Sequence, residues 1–369
     1  MFIADDGCVI VGGDFSQQEP RLLAHYSQDQ ELIDAYIQGK DLYASAASKI
    51  FHKTYWECME HWEDGSANPE GKKIRGITKN IILGIIYGRG AASVAEKTGQ
   101  TLEEAKQTIE DFYTAYPTVK KWMDESIKMA KEKGYVNTVA GRRRRLPNIQ
   151  LKPYTIKGKF TERISENTIL FEKIKLEDNE DALVNYYQCR LDNCSNRFNA
   201  KKIIEEAANN DILIEDNNGW IATATRQTVN ARVQGGAADL SKKAMIAIYN
   251  NKVLKDLGFK MLYVIHDEIA GQCPKENAAQ VAELLKSTMI SSAKEICSVP
   301  MKVDTYTLKH WYGDDLSDII KERYDKLRKE KSDEEAFKII DKENPEVALD
   351  VLKEICNGTF DLTSDKFAR

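Results

Sequence analysis

Apolar residues recur along most of the chain at helical spacing, interrupted by a few short runs that cluster as strands do. The first run, Cys8-Val-Ile-Val-Gly-Gly-Asp14, reads as a short buried strand ending on an acid. From Gln17 to about Lys53, Leu22, Leu23, Tyr26, Leu32, Ile33, Tyr36 and Ile37 fall near a 3.6-residue period, predicting helix broken at Ser27 and Gly39. Trp56 to Gly71 holds Gly65, Asn68, Pro69 and Gly71 and reads as loop. Lys72 to Tyr87 predicts a helix stopped by Gly88 and Gly90, and Thr101–Tyr116 and Thr118–Lys133 predict two more divided by Pro117. Tyr135 to Gly141 predicts a strand entering a turn that presents Arg142, Arg143, Arg144 and Arg145.

Residues 154–224 change texture: acidic, rich in Asn and weakly periodic, they read as an inserted subdomain. A long helix from about Thr225 to Asn251 then precedes a strand, Phe259 to Ile265, and a second one ending at Cys273. Between them His266-Asp267-Glu268 would form the tip of a hairpin. Glu276–Ser292 predicts a helix and Val303–Leu308 a strand. From Asp315 onward alternating charges with Leu, Ile and Val at helical spacing predict two or three surface helices.

The 369 residues, 42% hydrophobic and 30% charged, suit a globular chain of about two domains. No run approaches the roughly 18 apolar residues of a membrane helix. Acids at Asp5 and Asp6 replace the basic region of a secretory signal, so a cytoplasmic address is the default expectation. Seven scattered cysteines, an odd number, suit a reducing compartment. Only Cys189 and Cys194 lie close together, and with no histidine nearby a zinc ion there would lack two ligands. The net charge of −5 arises in residues 314–369, which carry 16 acids and 11 bases; residues 1–313 are balanced, and 154–225 within them is acidic, leaving the remainder basic. Distribution rather than total charge is what phosphate binding reads.

Three clusters carry candidate chemistry. If the strands ending at Asp14 and at Asp267 are neighbours, two carboxylates converge, as Mg2+ requires when it bridges phosphate oxygens and keeps open positions. Arg75, Lys79, Leu83 and Tyr87 step by four along one helix and form a slanted stripe that could hold a nucleotide end to end. Arg226, Asn230 and Gln234 repeat that spacing, and their amides and guanidinium suit hydrogen bonds to a duplex minor groove and backbone. Taken singly, an Asp closing a strand is more often a turn or cap residue, and each helical stripe also reads as an ordinary solvated or polar helix face.

In this order the clusters resemble the family A DNA polymerases, of the bacterial DNA polymerase I and bacteriophage type. Val9-Ile-Val-Gly-Gly-Asp-Phe-Ser-Gln-Gln-Glu-Pro-Arg-Leu-Leu-Ala-His25 resembles motif A, Arg75-x3-Lys79-x7-Tyr87-Gly88 motif B, and Val264-Ile-His-Asp-Glu268 motif C. Gly39-Lys-Asp-Leu-Tyr43, Gly141-Arg-Arg-Arg-Arg-Leu-Pro147 and Gln234-Gly-Gly-Ala-Ala-Asp239 add to it, and the resemblance covers about 7–153 and 224–313. It implies an α/β (α+β) fold: a palm with a small antiparallel sheet from 1–53 and 225–313, helical fingers from 54–153, the insert at 154–224, and a helical tail at 314–369. It further implies that Asp14 and Asp267, with the Phe15 carbonyl, bind two Mg2+ ions supported by Glu268. Glu19 would be a steric gate against a ribose 2′-OH. Arg75 and Lys79 would grip the triphosphate of a dNTP, Lys79 also protonating pyrophosphate, and Tyr87 would sit by the templating position. Arg226, Asn230, Gln234, His266 and Arg142 would contact primer-template DNA. The implied reaction is in-line attack of a primer 3′-OH on the α-phosphate.

The sequence departs from the family pattern in several places. Leu83 stands where Phe or Tyr is usual, which changes the surface offered to the sugar. Gln18 and Pro20 replace an apolar pair in motif A, a variation associated with phage members and, if phage-encoded, a host-cytoplasm address. In the family a thumb and an exonuclease domain precede motif A, which here begins within a dozen residues of Met1. The expectation is the C-terminal part of a split or truncated polymerase, completed by an N-terminal partner chain and involving no membrane. Tyr312-Gly-Asp-Asp315 matches a signature of RNA-dependent RNA polymerases, but an amphipathic helix rather than a strand follows it. A non-catalytic nucleic-acid-binding or assembly subunit is the alternative reading, and retention of Asp14, Lys79 and Asp267 favours an enzyme.

Overall fold

A computed structural model describes residues 3–165, 168–171, 178–311, 313–345 and 347–363. Strand β1 (Cys8–Ser16) buries Val9 through Gly13 and leaves Asp14 accessible. Gln17, at φ 55°, then turns the chain left-handed into α1 (Gln18–Ser27). The periodic stretch continues as α2 (Gln30–Ile37) and α3 (Leu42–Ile50). The breaks fall at Gln28, φ 51°, and at Gly39, φ 68°. After each one an aspartate restarts the helix: Asp29 accepts from the Leu32 N–H and Asp41 from the Ala44 N–H, the usual N-cap arrangement.

Helix α4 (Pro69–Ile86) starts ahead of the predicted Lys72, because proline's fixed φ suits the first helical turn. A short helix that the glycine-rich sequence did not suggest, α5 (Ala91–Thr98), is closed by Gly99 at φ 70°. Then come α6 (Leu102–Ala115) and α7 (Pro117–Lys133), split by Pro117 as expected. Strands β2 (Tyr135–Asn137) and β3 (Arg143–Arg145) pair antiparallel, so three of the four arginines lie on a strand rather than in the turn. The segment after them contains β4 (Tyr154–Ser165), β5 (Thr168–Phe171), α8 (Asp178–Asp192), α9 (Arg197–Asn209) and β6 (Ile212–Asp216). Helix α10 (Asn218–Asn250) starts before the predicted Thr225 and runs for 33 residues. It is followed by α11 (Lys252–Asp256), β7 (Lys260–Ile265), β8 (Glu268–Pro274), α12 (Ala278–Lys294) and β9 (Lys302–Leu308). The tail forms three helices, α13 (Gly313–Leu327), α14 (Asp333–Glu343) and α15 (Leu349–Asn357). Tyr312 lies outside the described residues; the sequence after it enters α13.

The chain divides into two compact units, one of residues 1–82, 111–119 and 233–369, the other of 83–110 and 120–232. The first is organised by a four-stranded antiparallel sheet in the order β7-β8-β1-β9. Helix α12 packs beneath β1 and β9. A Cβ on Gly13 would come within 2.8 Å of Met289 Sδ, so the second glycine of motif A admits that helix. The tail helices bury their own core of Ile320, Tyr324, Ile340, Val351, Leu352 and Ile355. The second unit contains a three-stranded sheet, β5-β4-β6, with a core of Tyr187, Leu191, Ile203, Ile212 and Ile214. Among the described residues no helix is long and apolar enough to cross a membrane, and none of the cysteines is disulfide-bonded.

Candidate active site

The sheet register brings carboxylates from three strands into one row. Asp14 on β1 lies directly opposite Glu268 on β8 and directly opposite Asp304 on β9. Directly opposite residues share a face of the sheet, so all three side chains emerge on the same side. Asp267 completes the group from the turn, where its carbonyl accepts from the Phe15 N–H at 3.3 Å. The protein around the accessible Asp14 carboxyl removes part of its hydration, and Asp267, Glu268 and Asp304 add negative potential. Burial first, then those three neighbours and a hydrogen bond with Asp267, raise its pKa to about 7. Asp304 was not singled out from the sequence. Its signal was the period-two strand pattern of Lys302-Val-Asp-Thr-Tyr, which places it on one face with Tyr306.

The turn joining β7 to β8 is tighter than the sequence suggested: His266 and Asp267 form it, and Glu268 is already the first residue of β8. Two-residue hairpin loops require positive φ at a central position, and His266, exposed at the tip, takes φ 53°. A short polar chain holds this turn from below. Gln18, the polar substitution in motif A, is buried and donates through Nε2 to Ser241 Oγ at 3.3 Å, and that hydroxyl donates to the His266 carbonyl at 3.4 Å. Glu19 is half-buried in the first turn of α1. Arg21 is buried; it donates to the Ser16 carbonyl at 2.9 Å and to the Pro300 carbonyl, and covers the Tyr36 ring at 4.2 Å, fixing the exit of β1.

On α4, Lys79 is exposed and Arg75 is half-buried. Each nitrogen of the Arg75 guanidinium has an acceptor: Nε and Nη2 fork onto Asp41 at 3.0 and 2.8 Å, and Nη1 donates to Glu60 at 2.8 Å. Asp41 therefore caps α3, accepts from Gln17 at 3.2 Å and anchors Arg75. Spacing along the chain exposed neither Asp41 nor Glu60 as a partner of Arg75. The Gly39-Lys-Asp-Leu-Tyr43 motif contained the only hint of it. Gln234 is exposed on the part of α10 that belongs to this first unit.

In the second unit, α4 continues through Leu83, half-buried, and ends before Tyr87 and Gly88. Gly88 sits at φ 64° with Arg226 against it: a Cβ there would lie 3.0 Å from the Arg226 Cβ. This close approach joins the end of motif B to α10. Arg226 is exposed and bonds Thr223 at 2.9 Å. Asn230 is half-buried, and its side-chain oxygen finds no hydrogen-bond partner among the described residues. Arg142 is exposed beside the β2–β3 hairpin. Asp14, Asp267, Glu268, His266, Phe15, Glu19, Arg75, Lys79 and Gln234 thus belong to the first unit, and Leu83, Tyr87, Arg226, Asn230 and Arg142 to the second.

The family model for DNA polymerase family A matches residues 1–171 and 182–313, entering the segment 154–224 from both sides. The chain belongs to DNA polymerase family A. It is 29% identical over 311 residues to DNA polymerase I of Lactococcus lactis subsp. lactis, covering 84% of this chain and 27% of that protein. To the thermostable DNA polymerase I of Thermus thermophilus it is 28% identical over 312 residues, covering 84% of this chain and 28% of that one. It shares the fold of the polymerase domain of Pol1 from M. smegmatis, solved in complex with DNA primer-template and dNTP, with a TM-score of 0.58 and 24% identity over 84% of this chain and 41% of that one. The family A member described here therefore spans about a quarter of the length of the curated relatives it matches. Its mixed fold, helices around a small antiparallel sheet, is that of the family.

Proposed function

We propose that the chain catalyses template-directed DNA synthesis, transferring a nucleotidyl group from a dNTP to a primer 3′-OH at the sheet edge that carries Asp14 and Asp267. The observation that carries this reading is the convergence of those two carboxylates, on segments that resemble motifs A and C in a family A chain, with the Asp14 proton affinity raised by burial and then by its acidic neighbours. Such a concentration of carboxylates, of which Asp304 pairs with Lys302 at 3.0 Å, suits a divalent cation. All the donors are hard oxygens, which fits Mg2+. Among the described residues no three His, Cys, Asp or Glu side chains gather into a complete metal cage. Mg2+ does not require one, because it binds through one or two carboxylates and fills its shell with water and substrate phosphate. Asp14, Asp267 and the Phe15 carbonyl would hold two such ions, with Glu268 supporting them. Bound there, the ions supply the positive charge that activates the 3′-OH and stabilises the leaving pyrophosphate.

The remaining roles belong to the chain's own side chains. Lys79, exposed on α4, binds the triphosphate and donates a proton to pyrophosphate. Arg75 adds a second phosphate contact once an incoming anion competes with Asp41 and Glu60 for its guanidinium. Glu19 closes the sugar site against a 2′-OH, Leu83 packs on the deoxyribose, and Tyr87 stands by the templating base. Arg226, Asn230, Gln234, His266 and Arg142 contact primer and template, and the unpartnered Asn230 oxygen is ready to accept from a donor in the minor groove. The reading includes thumb and exonuclease functions supplied by an N-terminal partner chain; the chain itself spans 27% of its Lactococcus relative and 41% of the Pol1 domain. The domain roles follow the same reading: palm from 1–53 and 225–313, fingers from 54–153, insert at 154–224 and tail at 314–369, in the cytoplasm. Primer extension with Mg2+ and four dNTPs, by the purified chain alone and mixed with the product of the reading frame just upstream, tests the proposal. Synthesis in the mixture and little by the chain alone is expected; no synthesis in either would refute it.

A further inference from the structure

One row of the central sheet has an unusual make-up. Tyr263 on β7, Ala270 on β8, Gly12 on β1 and Tyr306 on β9 are paired in register across four strands. The two central positions carry a methyl group and no side chain at all, and the two outer ones carry phenols. A Cβ on Gly12 would lie 2.2 Å from Tyr306 Cζ and 2.3 Å from its hydroxyl oxygen, so the phenol occupies the space above that glycine. Crossing β1 in this way, the Tyr306 hydroxyl reaches Glu268 on β8 and donates to Oε1. Tyr263, packed against Trp311 with ring centroids 4.8 Å apart, backs the Tyr306 hydroxyl from the other edge. Glu268 stands directly opposite Asp14, and like charges directly opposite on neighbouring strands repel. A glutamate with three rotatable bonds would swing away from Asp14 unless a donor held it.

We propose that Tyr306 is a positioning residue of this site: reaching across Gly12, it holds the Glu268 carboxylate in the row beside Asp14, and Gly12 is a glycine because any side chain there would evict the phenol. The inference rests on the polymerase reading of the carboxylates, and its test separates the two. Mn2+ binding to the purified full-length chain, followed by electron paramagnetic resonance, reads the site without turnover. The wild type should bind Mn2+ and Asp14→Ala should lose it; if the wild type fails to bind, or Asp14→Ala binds equally well, the polymerase reading falls and this inference with it. Tyr306→Phe keeps the ring over Gly12 and removes only the hydroxyl, so its Tm should stay within about 2 °C of wild type. Its Mn2+ affinity should fall about five- to tenfold, yet change less than about twofold when the same substitution is made in Glu268→Gln. Gly12→Ala, which displaces the phenol by another route, should reproduce the loss. Unchanged Mn2+ affinity in Tyr306→Phe, or an equal loss in both backgrounds, would overturn the proposal.

Discussion

The Asp14 carboxyl keeps its proton up to about pH 7 because burial and three acidic neighbours disfavour its charged form. This has a definite sign for stability. Below the ordinary carboxylate value of 3.8 both folded and unfolded chains are protonated there; between that value and about 7 only the folded chain holds the proton. Asp14 thus stabilises the fold at acid pH, and the contribution is lost as pH rises through 7. Asp14→Asn should therefore melt higher than wild type in metal-free buffer at pH 8, by on the order of 1 kcal/mol after discounting for solvent screening at this accessible site, and the difference should vanish near pH 4. Melting curves at the two pH values check this, and an equal shift at both would contradict it. Arg75 is the second residue whose environment matters. Its pair with Glu60 is partly exposed, 23% and 35% for the two side chains, and such pairs contribute up to about 1 kcal/mol. Glu60→Gln should release one guanidinium nitrogen and lower the KM for dNTP about two- to fivefold in steady-state incorporation assays. A raised KM would show that Glu60 orients Arg75 rather than restrains it.

At the scale of elements, the hairpin from β7 to β8 turns on a single left-handed residue. Its two-residue turn places His266 at positive φ, where a β-branched side chain is strained. His266→Val should cost about 1–2 kcal/mol in a denaturant titration, whereas His266→Gly should be neutral or stabilising while weakening primer-template binding. Equal stability of the Val and wild-type chains would mean that the turn relaxes to another geometry. The same elements show what a sequence discloses. The strand ending at Asp14, the hairpin around Asp267 and the helix bearing Arg75 and Lys79 were legible because each combines a clear hydrophobic period with turn residues. Helix α5 was not, since it is eight residues long and lies between glycines that signal loop. Asp304 and Tyr306 were missed for another reason: register between strands, not position within one, sets them beside Asp14 and Glu268. Likewise the ion pairs of Arg75 do not show in its helical stripe, because its partners come from 34 and 15 residues away.

At the scale of the whole molecule, the chain belongs to DNA polymerase family A, and its acidic tail accounts for its net negative charge. Phosphate contacts dominate affinity for a duplex, and the exposed Arg142, Arg143, Arg144, Arg145 and Arg226 all lie in the second unit. The carboxylate row lies in the first. On this account binding of DNA and chemistry are separable by mutation, and that separation is the central claim. The measurement to make is single-nucleotide incorporation into a labelled primer-template by the chain mixed with the proposed N-terminal partner, comparing wild type with Asp267→Asn while DNA binding is followed by fluorescence anisotropy. The account predicts loss of at least about 10²–10³ in rate with DNA affinity within about twofold of wild type. Incorporation at the wild-type rate by Asp267→Asn would contradict it.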